Sequence, residues 1–114
     1  MTAYRQRVGA VGEDLAARWY SDAGYEIVAR NWRSREGELD LVARGHGTTV
    51  FCEVKTRASD RFGLPAEAVT GVKQRRIRGL AMQFLRQHPQ PTMGIRFDVA
   101  AVLDGQLQVL EGAF

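Results

Sequence analysis

The hydrophobic residues near the start of the chain recur with the period of a helix. Val8, Val11, Leu15 and Trp19 form one stripe, and Gly24 follows it as a stop signal. We therefore predict a helix from about Gly9 to Ala23 whose apolar face is this stripe.

Strand patterns follow the first helix. The stretch from Tyr25 to Arg33 reads as one strand, and "GELDLVAR" and "TTVFCEVKTR" read as two more, joined by a Gly-His-Gly turn. These segments predict an antiparallel meander. Because strand side chains alternate between faces, one face of the second hairpin should be hydrocarbon, formed by Leu39, Leu41, Val50, Cys52 and Val54. The other face begins at Phe51 and becomes charged beyond it.

A second helix and a last pair of strands complete the chain. The segment from Ala58 to Pro65 has loop composition. After it, apolar residues recur at helical spacing, with arginines on the other face: the apolar stripe is Ile77, Leu80, Ala81, Phe84 and Leu85. "IRFDVAAVL" and "QLQVLEG" read as strands around Asp104-Gly105. The order is helix, three strands, helix, strands, and the 114 residues suit a single domain, 1–114.

Composition narrows the class of protein. The hydrophobic fraction of 45% and the charged fraction of 25% are ordinary for a globular chain. No apolar run approaches the roughly 18 residues of a membrane span, and the N-terminus lacks a secretory pattern, so we expect a cytoplasmic protein without a membrane partner. Cys52 is the only cysteine and alternates with valines, which favours a core position, while His46 and His88 suit loops.

The second hairpin carries acidic residues where a buried strand should be apolar. Asp40 and Glu53 lie at similar distances from the turn, so they can be cross-strand neighbours. Two close carboxylates require a cation, and Mg²⁺ is the usual occupant of a cluster of oxygen ligands. Glu13 is a candidate third carboxylate, since it lies on a row of the first helix with Ala10 and Ala17, whose small side chains would permit a close approach.

The simpler interpretation is a solvent-facing strand, on which acidic residues normally alternate with apolar ones. The use of lysine favours a functional site instead. Of the sixteen basic residues only Lys55 and Lys73 are lysines, and Lys55 shares a strand face with Glu53. An ammonium can exchange a proton with water, whereas a guanidinium stays charged.

The chain resembles a known group of proteins in the order of these residues. "GELD" followed by "EVK", between a first helix with Glu13 and a second helix, resembles the PD-(D/E)xK nuclease superfamily. "GEDLAARWYSDAGYEIVARNWRSREGELDLVA", "FCEVKTR", "FG.P.EAVT..K" and "RFDV" more closely resemble the YraN-like family, related to Holliday junction resolvases. The resemblance implies a restriction-endonuclease-like α/β core, α-β-β-β-α-β, with a central mixed sheet flanked by helices. Leu39 stands where the superfamily name has proline.

The same resemblance implies a site for metal-dependent cleavage of phosphodiester bonds. Its catalytic residues would be Asp40, Glu53, Lys55 and Glu13, and Mg²⁺ or Mn²⁺ would be held by Asp40, Glu53, the Val54 carbonyl and Glu13. The expected partner is nucleic acid in the form of DNA, such as a branch or junction, and a homodimer would suit symmetric junction cleavage.

Phosphate contacts are expected from basic residues near the charged strand face and on the second helix: Arg57, Arg61, Lys73, Arg75, Arg76 and Arg78. By helical phase, Lys73 should point toward the sheet. A solvated helix face remains the alternative for Arg75 and Arg78. The alternative for the whole chain is a non-catalytic nucleic-acid-binding or assembly module that keeps the nuclease fold.

Overall fold

The computed structural model describes residues 3–57 and 69–114 as helices and strands in the predicted order. The elements are α1 (Ala3–Asp22), β1 (Glu26–Ser34), β2 (Gly37–Gly45), β3 (Thr48–Arg57), α2 (Gly71–Gln87), β4 (Gly94–Leu103) and β5 (Gln106–Leu110). The predicted α/β fold class is therefore confirmed. The predicted loop from Ala58 to Pro65 lies outside the described residues.

The strands form a mixed sheet in the order β1-β2-β3-β4-β5. Neighbouring strands are antiparallel except for β3 and β4, which are parallel. A parallel neighbour cannot be reached through a tight turn, and α2 lies in the connection between these two strands. The sheet is thus flanked by helices on both faces.

Each face of the sheet buries its own hydrophobic core. The core on the α1 side consists of Ala16, Tyr20, Leu41, Ala43, Val50, Cys52 and Ala100. The core on the α2 side consists of Leu39, Val42, Phe51, Val69, Ile77, Leu80, Ala81, Phe84, Phe97 and Val99. Both faces are therefore apolar at the centre of the sheet, and Phe51 lies in the α2-side core as the predicted apolar start of the second face.

Helix α2 contacts the sheet through the predicted stripe. Ile77, Leu80, Ala81 and Phe84 are buried, whereas the arginines of this helix are exposed. The helix begins after Thr70, whose hydroxyl accepts a hydrogen bond from Lys73 N–H. Its predicted orientation is confirmed.

Helix α1 packs through a different face from the one predicted. Val11, a member of the predicted stripe, is 57% exposed, while Ala16 and Tyr20 are fully buried and Gly12 is buried with them. These three residues follow one another at intervals of four and therefore share one side of the helix. Small residues bring the helix axis close to the sheet, and this close contact takes precedence over the larger apolar stripe.

Strand β2 loses its regular alternation at Asp40. Leu39 packs on the α2 side and Leu41 on the α1 side, although they were predicted to share a face. The register between β1 and β2 omits the pair Asn31 and Asp40, and Asn31 has a φ of 53°. This left-handed residue disturbs the local pairing, so both faces receive a leucine.

A buried carboxylate joins α1, β4 and the C-terminal turn. Asp98 is fully buried and accepts hydrogen bonds from Tyr20 Oη at 2.6 Å and from Gly112 N–H at 2.9 Å. Arg96 donates from Nε to Oδ1 at 2.9 Å and from Nη2 to Oδ2 at 3.0 Å. A buried charge is tolerated when it is paired and hydrogen-bonded in this way.

We expect Tyr20→Phe to lower the free energy of unfolding by about 1.5–3 kcal/mol, because it removes a hydrogen bond to a buried charged group. Tyr25→Phe is the matched control. Its hydroxyl accepts a hydrogen bond from Arg96 at 3.4 Å, at a partly exposed position, and its loss should cost less than about 1 kcal/mol. Urea unfolding monitored by circular dichroism measures both. Equal losses of unfolding free energy in the two variants would show that the hydrogen bond from Tyr20 does not stabilise the buried Asp98 carboxylate.

Candidate active site

The candidate site lies where β2 and β3 separate. The paired residues of these strands end at Leu41 and Cys52, one position before Asp40 and Glu53 could pair. Instead of a backbone carbonyl, the Asp40 side chain accepts the hydrogen bond from Val54 N–H, at 2.9 Å. The predicted cross-strand neighbours are thus brought together, with the Asp40 carboxylate filling the gap between the strands.

Glu53 and Lys55 follow on β3 and form an ion pair. Lys55 Nζ lies 3.3 Å from Glu53 Oε1, and their side chains are 27% and 14% exposed, respectively. Both side chains share a strand face with Phe51, which belongs to the core on the α2 side. The strand therefore changes from apolar to charged as it leaves that core, as predicted for this end of the hairpin.

A cleft opens beside this ion pair, between the strand ends and the first turns of α2. Its volume is about 160 Å³, and it is lined by Gly37, Glu38, Glu53, Lys55, Lys73, Arg76, Ile77 and Leu80. The chain has only two lysines, and both line this cleft. Lys73 was predicted to point toward the sheet, and its place in the lining agrees with that prediction.

The electrostatics of Asp40 indicate an excess of negative charge. Burial raises the pKa of Asp40 to about 7, assisted by the nearby charges of Glu53 and Glu13. The Val54 N–H and the Lys55 ammonium act in the opposite direction. Because the carboxyl group is hard to ionise in this setting, an additional cation would stabilise the ionised form.

Glu13 approaches the same region from α1. Its side chain is 19% exposed, and its Oε2 accepts a hydrogen bond from Asn31 Nδ2 at 2.9 Å and lies 3.8 Å from Arg30 Nη2. The preceding residue, Gly12, permits this approach, since a Cβ there would overlap Thr56 Oγ1. The prediction that Ala10 and Ala17 permit this approach is wrong, because Ala10 is exposed and the buried small residues are Gly12 and Ala16.

The residues present fit a hard divalent cation through two carboxylates. Mg²⁺ commonly uses one or two carboxylates and keeps several waters, which Asp40 and Glu53 could satisfy. Within residues 3–57 and 69–114, however, no three His, Cys, Asp or Glu side chains form a group that could hold a metal ion. The charge of Glu13 helps to raise the pKa of Asp40, but the Glu13 carboxylate is hydrogen-bonded to Asn31. The Val54 carbonyl stays a predicted ligand.

The predicted phosphate-binding residues fall into separate places. Lys73 and Arg76 line the cleft, Arg57 is exposed at the end of β3, and Arg75 is exposed on α2. The Arg78 guanidinium instead stacks over Phe97 and Phe114, at 4.7 and 5.6 Å from the ring centroids, so the structure does not bring it to the cleft. Arg61 lies outside the described residues.

Three residues of this region were not predicted from the sequence. Gly12 sets the helix approach, Asn31 holds Glu13, and Glu38 lines the cleft while it pairs with Arg33 at 3.4 Å. A signal existed for Asn31, because asparagine tolerates the left-handed backbone that interrupts a strand. Nothing comparable distinguishes Glu38 from a solvent-facing strand residue.

The remaining reactive side chains have structural positions. Cys52 is 3% exposed, and burial raises the pKa of its thiol to about 12, which confirms the predicted core position. His46 lies in the β2–β3 turn and His88 at the C-terminal end of α2, as predicted for loop residues.

The five-stranded mixed sheet and two helices, in the order α-β-β-β-α-β-β, place the chain in the α/β class of folds. Residues 12–102 match the model of a family described as uncharacterised protein family UPF0102, which is the YraN-like group. The chain belongs to this family, and the resemblance seen in its motifs is confirmed.

Relatives from several bacteria support this assignment. A UPF0102 protein of Nocardia farcinica is 60% identical over 99 residues, which cover 87% of this chain and 78% of that protein. A second, from Mycolicibacterium vanbaalenii, is 46% identical over 110 residues, which cover 96% of this chain and 91% of that protein.

Neither helix in the described part of the chain is long and apolar enough to cross a membrane.

We expect Gly12→Ala to destabilise the protein even though alanine is the better helix former by about 1 kcal/mol. The added methyl group would collide with the Thr56 hydroxyl, which is buried and has no hydrogen-bond partner among the described residues. In a Thr56→Ala background the same substitution should be neutral or stabilising. A double-mutant cycle by urea unfolding measures this coupling, and additive effects would contradict the close contact.

We expect Asp40→Asn to raise the melting temperature of the metal-free protein. The amide keeps an oxygen to accept the Val54 N–H but removes a charge that is buried and repelled by Glu53. Asp14→Asn is the control, since Asp14 is exposed and pairs with Arg30 at 2.7 Å. Thermal melts in EDTA at pH 8 compare the variants. A lower melting temperature for Asp40→Asn would show that the carboxylate stabilises the fold.

Proposed function

We propose that this protein is a metal-dependent endonuclease that hydrolyses phosphodiester bonds in DNA, with branched DNA or junctions as candidate substrates. The observation that supports it is the grouping of Asp40, Glu53 and the Lys55 ammonium at the gap between β2 and β3, beside a cleft with further cations. Family membership agrees with this proposal through the matching motifs, but the activity itself is our inference.

In this proposal, Asp40 and Glu53 hold Mg²⁺ or Mn²⁺, with Glu13 and the Val54 carbonyl as the further ligands that the resemblance implies. When bound, the metal supplies Lewis-acid activation of a phosphate oxygen and of water. The protein positions this chemistry on the end of β3, a rigid strand bonded to β4 along its length. Val54 N–H fixes the Asp40 carboxylate in the gap.

Lys55 orients the attacking water as an ammonium, or it accepts the proton of that water as a neutral amine after releasing its own proton to solvent. Its ammonium already contacts Glu53, so it lies beside a proposed ligand of the ion. A positioned acid or base of this kind contributes about 10²–10⁴-fold to a reaction rate. Arginine could supply the charge but could not release its proton, which explains lysine at this position in an arginine-rich chain.

Positive side chains around the cleft provide the contact with nucleic acid. We assign this role to Lys73 and Arg76 in the cleft, with Arg57 and Arg75 beside it and Arg61 from the sequence pattern. The sequence also predicts a phosphate contact for Arg78, but its guanidinium stacks on Phe97 and Phe114, so we assign it a packing role. Such phosphate contacts supply affinity without reading sequence.

A second candidate is a nucleic-acid-binding module without catalysis. Two observations favour it: the described residues gather no three metal-binding side chains, and Lys55 is engaged with Glu53. Such a protein would bind DNA with a steep dependence on salt, and Asp40→Asn would leave that binding unchanged.

We expect Asp40→Asn and Lys55→Ala to reduce DNA cleavage by about 10²-fold or more while folding cooperatively. The measurement is cleavage of labelled four-way-junction, flap and single-stranded DNA in Mg²⁺ or Mn²⁺, with EDTA as a blank. Asp14→Asn controls for the loss of a carboxylate, and Arg86→Ala controls for the loss of an exposed cation at the far end of α2.

Cleavage by Lys55→Ala at the parent rate would exclude lysine from the mechanism. If the parent protein binds DNA but yields no product with either metal, and calorimetry detects no metal binding, the binding-module candidate replaces the nuclease.

A further inference from the structure

The wall of the cleft contributed by α2 carries two cations one turn apart. Lys73 and Arg76 are separated by three residues, so they lie on the same side of the helix, and both line the cleft opposite Glu53 and Lys55. The Arg76 side chain lies over Gly37 at the start of β2, since a Cβ on Gly37 would be 3.4 Å from Arg76 Cδ. This contact keeps the arginine along the cleft rather than on the outer face of α2.

The charges on the two walls differ in how they are balanced. On the strand wall, Lys55 pairs with Glu53 at 3.3 Å, and Glu38 pairs with Arg33 at 3.4 Å. On the helix wall, neither Lys73 nor Arg76 makes an ion pair within the described part of the chain. The first turn of α2 has no acidic residue, and the helix N-terminus adds partial positive charge. Among the described residues, the helix wall therefore carries positive charge that an anion could balance.

A polynucleotide presents one phosphate per nucleotide, so a strand held at the reacting position brings a second phosphate beside the first. The strand wall contributes Glu53 and Lys55 to the proposed hydrolysis, and Asp40 is held at Val54, between them on β3. The helix wall has no carboxylate and two cations, which suits binding of an anion but not the chemistry. The two walls thus have separate tasks.

We propose that Lys73 and Arg76 form a subsite for the phosphate next to the scissile phosphate on the same strand. The inference rests on the proposed function and extends it: the substrate class is a polynucleotide with at least two consecutive phosphates rather than an isolated phosphodiester. Lys73 and Arg76 are positioning residues, because they hold the strand without contacting the reacting bond.

The test compares substrates that contain and lack the neighbouring phosphate. Lys73→Ala and Arg76→Ala should each lower kcat/KM for a DNA oligonucleotide by about tenfold or more, the effect of losing a charged hydrogen bond. Hydrolysis of bis(4-nitrophenyl) phosphate, which has a single phosphate, should be unchanged. Arg86→Ala is the matched control on α2, since Arg86 is exposed in the last turn of the helix and outside the cleft lining.

A neutral methylphosphonate placed at single positions around the cleavage site locates the contact. At one neighbouring position it should slow the parent protein about as much as Lys73→Ala does, and it should have little further effect on the variant. Lys73→Arg should restore most of the loss, because it keeps the charge. Thermal melts of each variant show whether the fold is retained.

Binding in EDTA separates this inference from the proposed activity. For each cation removed at the subsite, the slope of log affinity against log salt should decrease by about one, while Arg86→Ala should change it less. If no substrate is cleaved but these slopes differ as stated, the hydrolysis is refuted and the phosphate subsite stands.

Two results would overturn the subsite. Equal losses on bis(4-nitrophenyl) phosphate and on DNA would place Lys73 at the scissile phosphate. Full additivity between Lys73→Ala and every methylphosphonate position, with salt slopes equal to those of Arg86→Ala, would place Lys73 away from the bound strand.

Discussion

The hydrogen bond from Val54 N–H to the Asp40 carboxylate is the interaction on which the candidate site depends. A regular β2–β3 ladder would have given this N–H a backbone carbonyl and turned Asp40 away from it. Because the ladder ends at Leu41 and Cys52, a side-chain oxygen takes the place of the carbonyl. The Asp40 carboxylate thereby becomes part of the hydrogen bonding of the sheet, at a partly buried position.

Packing on both faces of the sheet compensates for the free-energy cost of burying the Asp40 carboxylate near Glu53. Separate cores under α1 and α2 hold β2 and β3 in place up to the point where they part. On the far side of the α1 core, Asp98 connects Tyr20, Arg96 and Gly112, so that the helix and the C-terminal turn are joined to β4. Strain and like charge at one end of a sheet are typical of functional sites, provided the rest of the fold determines their geometry.

The order of elements and the packing of α2 could be predicted because large apolar residues at regular spacing report burial directly. The same logic failed for α1, since Gly12 and Ala16 have little hydrophobic surface and yet allow the closest approach. It also failed for Leu39 and Leu41, because alternation assumes an unbroken strand and Asn31 and Asp40 interrupt the pairing. The proximity of Asp40, Glu53 and Lys55 could still be predicted, because the turn determines which residues of β2 and β3 are near one another even where their faces change.

Contacts between distant parts of the chain lay beyond sequence patterns. The hydrogen bond between Tyr20 and Asp98 spans 78 positions, and that between Asn31 and Glu13 depends on a backbone angle that no periodicity encodes. The choice of lysine over arginine was the more informative signal. A chain that otherwise uses arginine for positive charge places both of its lysines in one cleft, one on a strand beside two carboxylates and one on the facing helix. For Lys55 the proton chemistry of an ammonium explains the choice, whereas the proposed task of Lys73 requires only its positive charge.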